Sequence, residues 1–127
     1  MSDAPVVLLI DDEPVLLRLL EINMRSAGFE VRTAGSGEAA VVSATTRRPD
    51  VVVLDLGLPD LGGWETLRRL RAFAGVTEAP VIVLSGLDRD AAGDPGYAAG
   101  VYAFLVKPIE PTDLVQTVRR ALAERDG

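Results

Sequence analysis

Three stretches constrain this chain before any other feature does. Val6-Val7-Leu8-Leu9-Ile10, Val51-Val52-Val53-Leu54 and Val81-Ile82-Val83-Leu84 are apolar at every position. A strand with one wet face alternates apolar and polar residues. An unbroken, largely β-branched run suits a strand covered on both faces, as in a parallel sheet between two layers of helix. The intervening segments supply the helices. Pro14 suits a first helical position, Leu16, Leu19, Leu20, Met24 and Ala27 form a stripe, and Gly28 follows as a C′ residue. Ser36 suits the cap of a second helix, with Ala39, Ala40, Val42 and Ala44 as its inner face and Arg47-Arg48 at its end. Trp64, Leu67 and Leu70 mark a third, with Trp64 expected in the core.

Glu30 to Ala34 alternates and reads as a shorter strand near an edge, and Val101 to Val106 is a fifth strand. Pro111 opens a last helix that turns Leu114, Val118, Ala121 and Leu122 to the sheet. A helix is also expected between Leu87 and Gly100, the fourth of five, but Gly93, Pro95 and Gly96 fall inside it. An interior Pro costs ~3 kcal/mol and each Gly up to ~1 kcal/mol, so this helix is predicted to be short or irregular. The whole chain, 1–127, is therefore expected to form one doubly wound α/β domain.

Composition removes several chemistries. With no Cys there is no disulfide or thiolate site, and with no His there is no imidazole base and no ordinary zinc site. A bound metal must be held by oxygen, which favours magnesium, calcium or manganese. A net charge of -6 opposes direct nucleic-acid binding. No apolar run approaches the ~20 residues of a membrane span, and Met1 to Pro5 carries no signal-like pattern, so a soluble cytoplasmic protein with no membrane contact is expected. Of thirteen basic residues only Lys107 is lysine, a compact point charge where Arg would offer a planar fork.

Four of the five strands run into a polar group: Asp11-Asp12-Glu13 after the first, Asp55 after the third, Ser85 after the fourth and Lys107 after the fifth. Parallel strands put like ends on one edge, the edge where ligands bind in open α/β sheets. If the strands lie in the order 2-1-3-4-5, all four ends cluster. Capping accounts for one acid near a helix start, but not for adjacent acids that repel one another. Carboxylates gathered there must protonate, stay wet or bind a cation, and a Mg²⁺ that keeps some of its waters fits a site with few protein ligands.

These fragments together resemble the receiver domain of two-component response regulators. The resemblance rests on Leu9-Ile10-Asp11-Asp12-Glu13-Pro14, on Asp55-Leu56-Gly57-Leu58-Pro59 with Gly63, on Leu84-Ser85-Gly86, on Ala99-Gly100 and on Phe104-Leu105-Val106-Lys107-Pro108, and it covers essentially the whole chain. It implies the flavodoxin-like fold with strand order 2-1-3-4-5. It also implies a phosphorylation switch, in which Asp55 accepts a phosphoryl group from a sensor histidine kinase or a phosphotransfer protein. Asp12, Asp55 and the Gly57 carbonyl would ligate Mg²⁺, with Asp11 acting through water. Lys107 and Ser85 would contact phosphoryl oxygens, and Phe104 would turn inward as Ser85 moves. Such a domain catalyses only its own phosphorylation and dephosphorylation and is otherwise no enzyme. The resemblance further implies a cis Lys107-Pro108 bond.

Two departures stand out. Phe104 lacks the hydroxyl that many relatives carry, and Gly57 leaves the flank of an acyl phosphate open to water. Competing readings are weaker. A phosphohydrolase with an Asp nucleophile wants a second Asp two residues later, where this chain has Gly57. A flavodoxin-type cofactor binder needs a phosphate cradle where Asp11 to Glu13 would repel the ligand. The alternative is a phosphorylation-independent, receiver-like interaction module. Downstream, either a separate protein target or a fused output domain beyond Gly127 is expected.

Overall fold

The computed structural model describes residues 4–86 and 100–126. The elements run β1 (Val6–Ile10), α1 (Pro14–Ser26), β2 (Glu30–Ala34), α2 (Gly37–Thr46), β3 (Val51–Asp55), α3 (Gly63–Phe73), β4 (Val81–Ser85), β5 (Val101–Val106) and α4 (Pro111–Asp126). The irregular helix expected across Gly93, Pro95 and Gly96, and Ala99 with it, lie outside the described residues. The sheet is parallel throughout, in the order β2-β1-β3-β4-β5.

β1, β3 and β4 are buried at every position, the burial their unbroken apolar runs foretold. Strand alternation divides each of them between two cores. Val7, Leu9, Val51, Val53, Ile82 and Leu84 join Leu20 and Met24 of α1 and Leu114, Val118 and Leu122 of α4. Leu8, Ile10, Val52, Leu54, Val81 and Val83 join Ala40 and Ala44 of α2 and Leu67 and Leu70 of α3. Each helix thus closes one face, and the polar ends of the strands are left at the edge.

Two helix faces differ from their sequence-based phase. In α1, Leu17 packs on the core while Leu19 stands exposed. In α2, the buried residues are Gly37, Ala40 and Ala44, and Val42 is 66% exposed. Apolarity alone misplaces α2 because it docks through its smallest residues. A Cβ on Gly37 would lie 2.2 Å from Thr66 Oγ1, so the helix sits too close to α3 for anything larger. Ser36 caps α2 as expected, its Oγ accepting the Ala39 N–H at 3.1 Å. Trp64 is half-buried rather than enclosed.

The loop from β3 into α3 is shaped by a glycine pair. Gly62 has φ +77°, a conformation that side chains disfavour. A Cβ on Gly63 would meet Leu56 Cα at 2.6 Å, a backbone atom that cannot give way. Gly63→Ala is therefore expected to destabilise the fold by about 1–3 kcal/mol in chemical denaturation. Gly57→Ala, whose Cβ would meet nothing nearer than 3.7 Å, is expected to stay within about 0.5 kcal/mol of the parent.

Candidate functional site at the carboxyl edge of the sheet

β1, β3, β4 and β5 end level with one another, since Ile10 pairs with Leu54, Asp55 with Leu84 and Ser85 with Val106. Asp55 and Ser85 are the last residues of their strands rather than the first of the loops, so both are buried, at 4% and 5% exposure. Asp11 is buried too, at 1%, held by its N–H on the Ala34 carbonyl. Asp12 is exposed. Lys107 follows β5 and is fixed by its N–H on the Ser85 carbonyl at 2.7 Å. The Lys107-Pro108 bond is cis, as expected.

The ammonium of Lys107 is shared by three carboxylates. Nζ lies 3.0 Å from Glu13 Oε1, 3.1 Å from Asp11 Oδ2 and 3.4 Å from Asp55 Oδ1. Burial alone would lower the affinity of Lys107 for its proton. The carboxylates of Glu13, Asp11 and Asp55 outweigh burial and hold it above its usual range. Asp55 shifts the opposite way. Burial raises its pKa above the ordinary carboxyl value, the Asp11 charge adds to that rise, and the Gly57 N–H at 3.2 Å and Lys107 only partly offset it. The Ser85 hydroxyl donates to the Gly86 carbonyl at 3.1 Å.

Oxygens of Asp11, Asp12 and Asp55 all lie within 4.8 Å of one another, the spacing of a metal site. Ionised carboxylates at that separation repel by roughly 3–4 kcal/mol per pair at an effective dielectric of about 20. Asp11 Oδ2 is fully enclosed, and among the described residues only the Lys107 ammonium, 3.1 Å away, stands against it. A buried, under-satisfied carboxylate oxygen beside two others is what an oxygen-liganded cation would complete, so the residues present fit such an ion.

The expected set Asp11, Asp12, Asp55, Gly57, Ser85 and Lys107 is gathered at this edge. Phe104 lies apart, 41% exposed on β5, its ring edge-on to Trp64 with centroids 6.4 Å apart. Sequence reasoning gave no role to two further residues. Glu13 belongs to the acidic run, but its side chain makes no helix-cap bond and reaches Lys107 instead. Asp60, in the loop after Asp55, takes the Gly37 and Glu38 N–H groups at 3.0 Å each, and these two bonds hold its carboxyl below the usual range. Its partners lie more than twenty residues earlier, so no local pattern could announce it.

Residues 7–119 match the family model of the response regulator receiver domain. The chain belongs to that family. It is similar to the transcriptional regulatory protein KdpE of Mycobacterium tuberculosis, 41% identical over 117 residues that cover 92% of this chain and 50% of that protein. It is also similar to the DNA-binding response regulator MtrA of Mycolicibacterium smegmatis, 34% identical over 120 residues covering 94% and 51%. The chain thus spans about half the length of these curated relatives. Among solved structures, a putative response regulator from Chloroflexus aurantiacus superposes with a TM-score of 0.84 at 33% identity, covering 95% of this chain and 99% of that one. The chemotaxis protein CheY4 of Vibrio cholerae superposes at 0.85 and 29% identity, covering 94% and 99%. Among the described residues no helix is long and apolar enough to cross a membrane.

The raised pKa of Asp55 has a measurable sign. Between the ordinary value of 3.8 and its higher folded pKa the native state holds a proton that the unfolded chain has released, so Asp55 lowers stability as pH rises across that interval and the loss is complete above it. Asp55→Asn should accordingly be more stable than the parent at pH 7 in chelator-treated buffer. Denaturant titrations should show this advantage shrinking as pH falls towards 3.8.

Proposed function

We propose that this domain is a phosphorylation switch whose acceptor is Asp55, modified from a phosphohistidine on a sensor histidine kinase or phosphotransfer protein in a Mg²⁺-dependent reaction. The observation that carries the reading is the single ammonium, Lys107, set 3.4 Å from a buried acceptor carboxylate beside a second acidic pair. Asp55 attacks phosphorus, the P–N bond breaks, the imidazole leaves as the neutral ring with a proton taken from solvent, and an acyl phosphate forms. Phosphoryl transfer asks little covalent work of a protein; it asks for positioning and for charges aimed at the equatorial oxygens.

Asp12, Asp55 and the Gly57 carbonyl would hold Mg²⁺ directly, and Asp11 through water. The ion, when bound, supplies charge neutralisation between the carboxylates and the incoming phosphoryl group. Lys107 neutralises one phosphoryl oxygen. Ser85 gives up the Gly86 carbonyl for another, and Phe104 follows Ser85 inward from its exposed place on β5. The domain turns over no other substrate. The acidic net charge supports a domain that does not touch nucleic acid itself. The names of KdpE and MtrA support an output on transcription, delivered by a separate target or a fused domain, in the cytoplasm.

Incubation with acetyl phosphate and Mg²⁺, followed by intact mass spectrometry, should show a gain of one phosphoryl group that chelator and Asp55→Asn each abolish. No gain in a folded protein would overturn the reading and favour an interaction module that works unmodified. Gly57 is exposed, and a side chain there would begin 3.7 Å from both Asp55 oxygens, against the path of an attacking water. Gly57→Asn or Gly57→Arg should therefore lengthen the lifetime of the phosphorylated form several-fold; equal decay in all three proteins would show that water enters elsewhere.

A further inference from the structure

Lys107 touches three carboxylates, and they are not equivalent. Asp11 and Asp55 belong to the group whose oxygens converge to within 4.8 Å of one another with Asp12. Glu13 does not belong to it, yet its contact with the ammonium is the shortest of the three, at 3.0 Å. An ion held there, by Asp12 and Asp55 directly and by Asp11 through water, draws on the charge of the carboxylates that face Lys107 and brings its own positive charge towards the ammonium. Two of the three tethers then weaken together. The third is left, and among the described residues Glu13 has no other cation to pair with.

The base of Glu13 is well anchored for such a task. Its N–H bonds Asp11 Oδ1 at 2.9 Å, its carbonyl accepts the Leu17 N–H at 2.9 Å, and Pro14 follows at the start of α1. At a helix N-cap the short side chains of Ser, Thr, Asp and Asn turn onto the first free N–H groups, and a glutamate is too long to be held there in the same way. Glu13 makes no such bond and extends to Lys107, ninety-four residues away in the chain. Its side chain is 60% exposed, so the pairing is weak enough to be surrendered.

Resting on the proposed phosphorylation of Asp55, we propose that Glu13 is a positioning residue that keeps Lys107 at the mouth of the site once a divalent cation occupies Asp11, Asp12 and Asp55, and yields it to the phosphoryl oxygen that arrives. Glu13 touches no reacting atom. It acts through the lysine, by limiting how far the ammonium wanders between metal entry and phosphoryl transfer.

Because Lys107 is the only lysine, selective ¹³C-lysine labelling reports on this one side chain. Without metal, the Cε order parameter should be similar in the parent and in Glu13→Gln, since Asp11 and Asp55 still hold the ammonium. With saturating Mg²⁺ the parent should stay ordered, and Glu13→Gln should fall by roughly a third or more, towards the value of a free side chain. A variant as ordered as the parent with Mg²⁺ would overturn the proposal, and so would a parent that loses its order when Mg²⁺ is added. Phosphoryl uptake from acetyl phosphate should slow by about two- to fivefold in Glu13→Gln, with Glu13→Asp in between; unchanged uptake would likewise count against it. A parent that takes no phosphoryl group defeats the phosphorylation reading, while the order parameters still decide the role of Glu13 towards the cation.

Discussion

Charge balance at one edge of the sheet governs this molecule. Asp11 and Asp55 are taken almost wholly out of water, and the chain supplies a single ammonium to stand against them. Counting Asp12 beside Asp55 and Asp11, and Glu13 on the lysine, four carboxylates stand around one ammonium among the described residues, an excess of negative charge at this edge. Such a site is unfinished as it stands. The raised pKa of Asp55 and the enclosed Oδ2 of Asp11, which among the described residues meets only Lys107, are two signs of that imbalance. A divalent cation removes most of that excess, and the balance can then tolerate the negative charge of a phosphoryl group. The arrangement that makes the resting site uncomfortable is therefore also what would let it be modified.

The same edge follows from the rest of the fold. β1, β3 and β4 bury every side chain, so none of them can carry a charge along its length, and polar groups are admitted only where the strand runs out. Their level ends then place residues 11, 55, 85 and 107 side by side although 96 positions separate the first from the last. Strand order matters as much as sequence here. With β1 and β3 adjacent at the middle of the sheet, the acids of one face the acid of the other. An order that parted β1 from β3 would have separated them.

Residues whose place is the edge were legible in the sequence because a parallel sheet has only one such place to put them. Asp55, Ser85 and Lys107 needed no contact map, only the ends of apolar runs. Residues whose role depends on the angle of a helix were less so. Val42 is as apolar as any core residue, yet α2 turns it outward because Gly37 and Thr66 draw that helix close along a different line. Leu17 and Leu19 exchange places for a similar reason: a leucine-rich helix offers several acceptable stripes, and packing against α4 selects one. Glu13 and Asp60 were hidden for a third reason. Their partners are distant in sequence, and an acid at a loop or a helix start has an ordinary local explanation ready for it.

The two flanks of Asp55 are built unequally, and that inequality bears on where a change of charge can be felt. On the β3–α3 side the loop is held at several points: Asp60 grips the start of α2, the Thr66 hydroxyl donates to the Gly62 carbonyl at 2.7 Å, and Gly63 lies against the Leu56 backbone with no space to spare. On the other side the Ser85 hydroxyl is spent on its own neighbour, and β5 is an edge strand with Phe104 and Val106 exposed. A structure under a new local force moves where it is least restrained. A charge added to Asp55 would thus draw Ser85 and β5 inward before it displaced the glycine-rich loop. The edge-on contact of Phe104 with Trp64 is the first packing that such a movement would break.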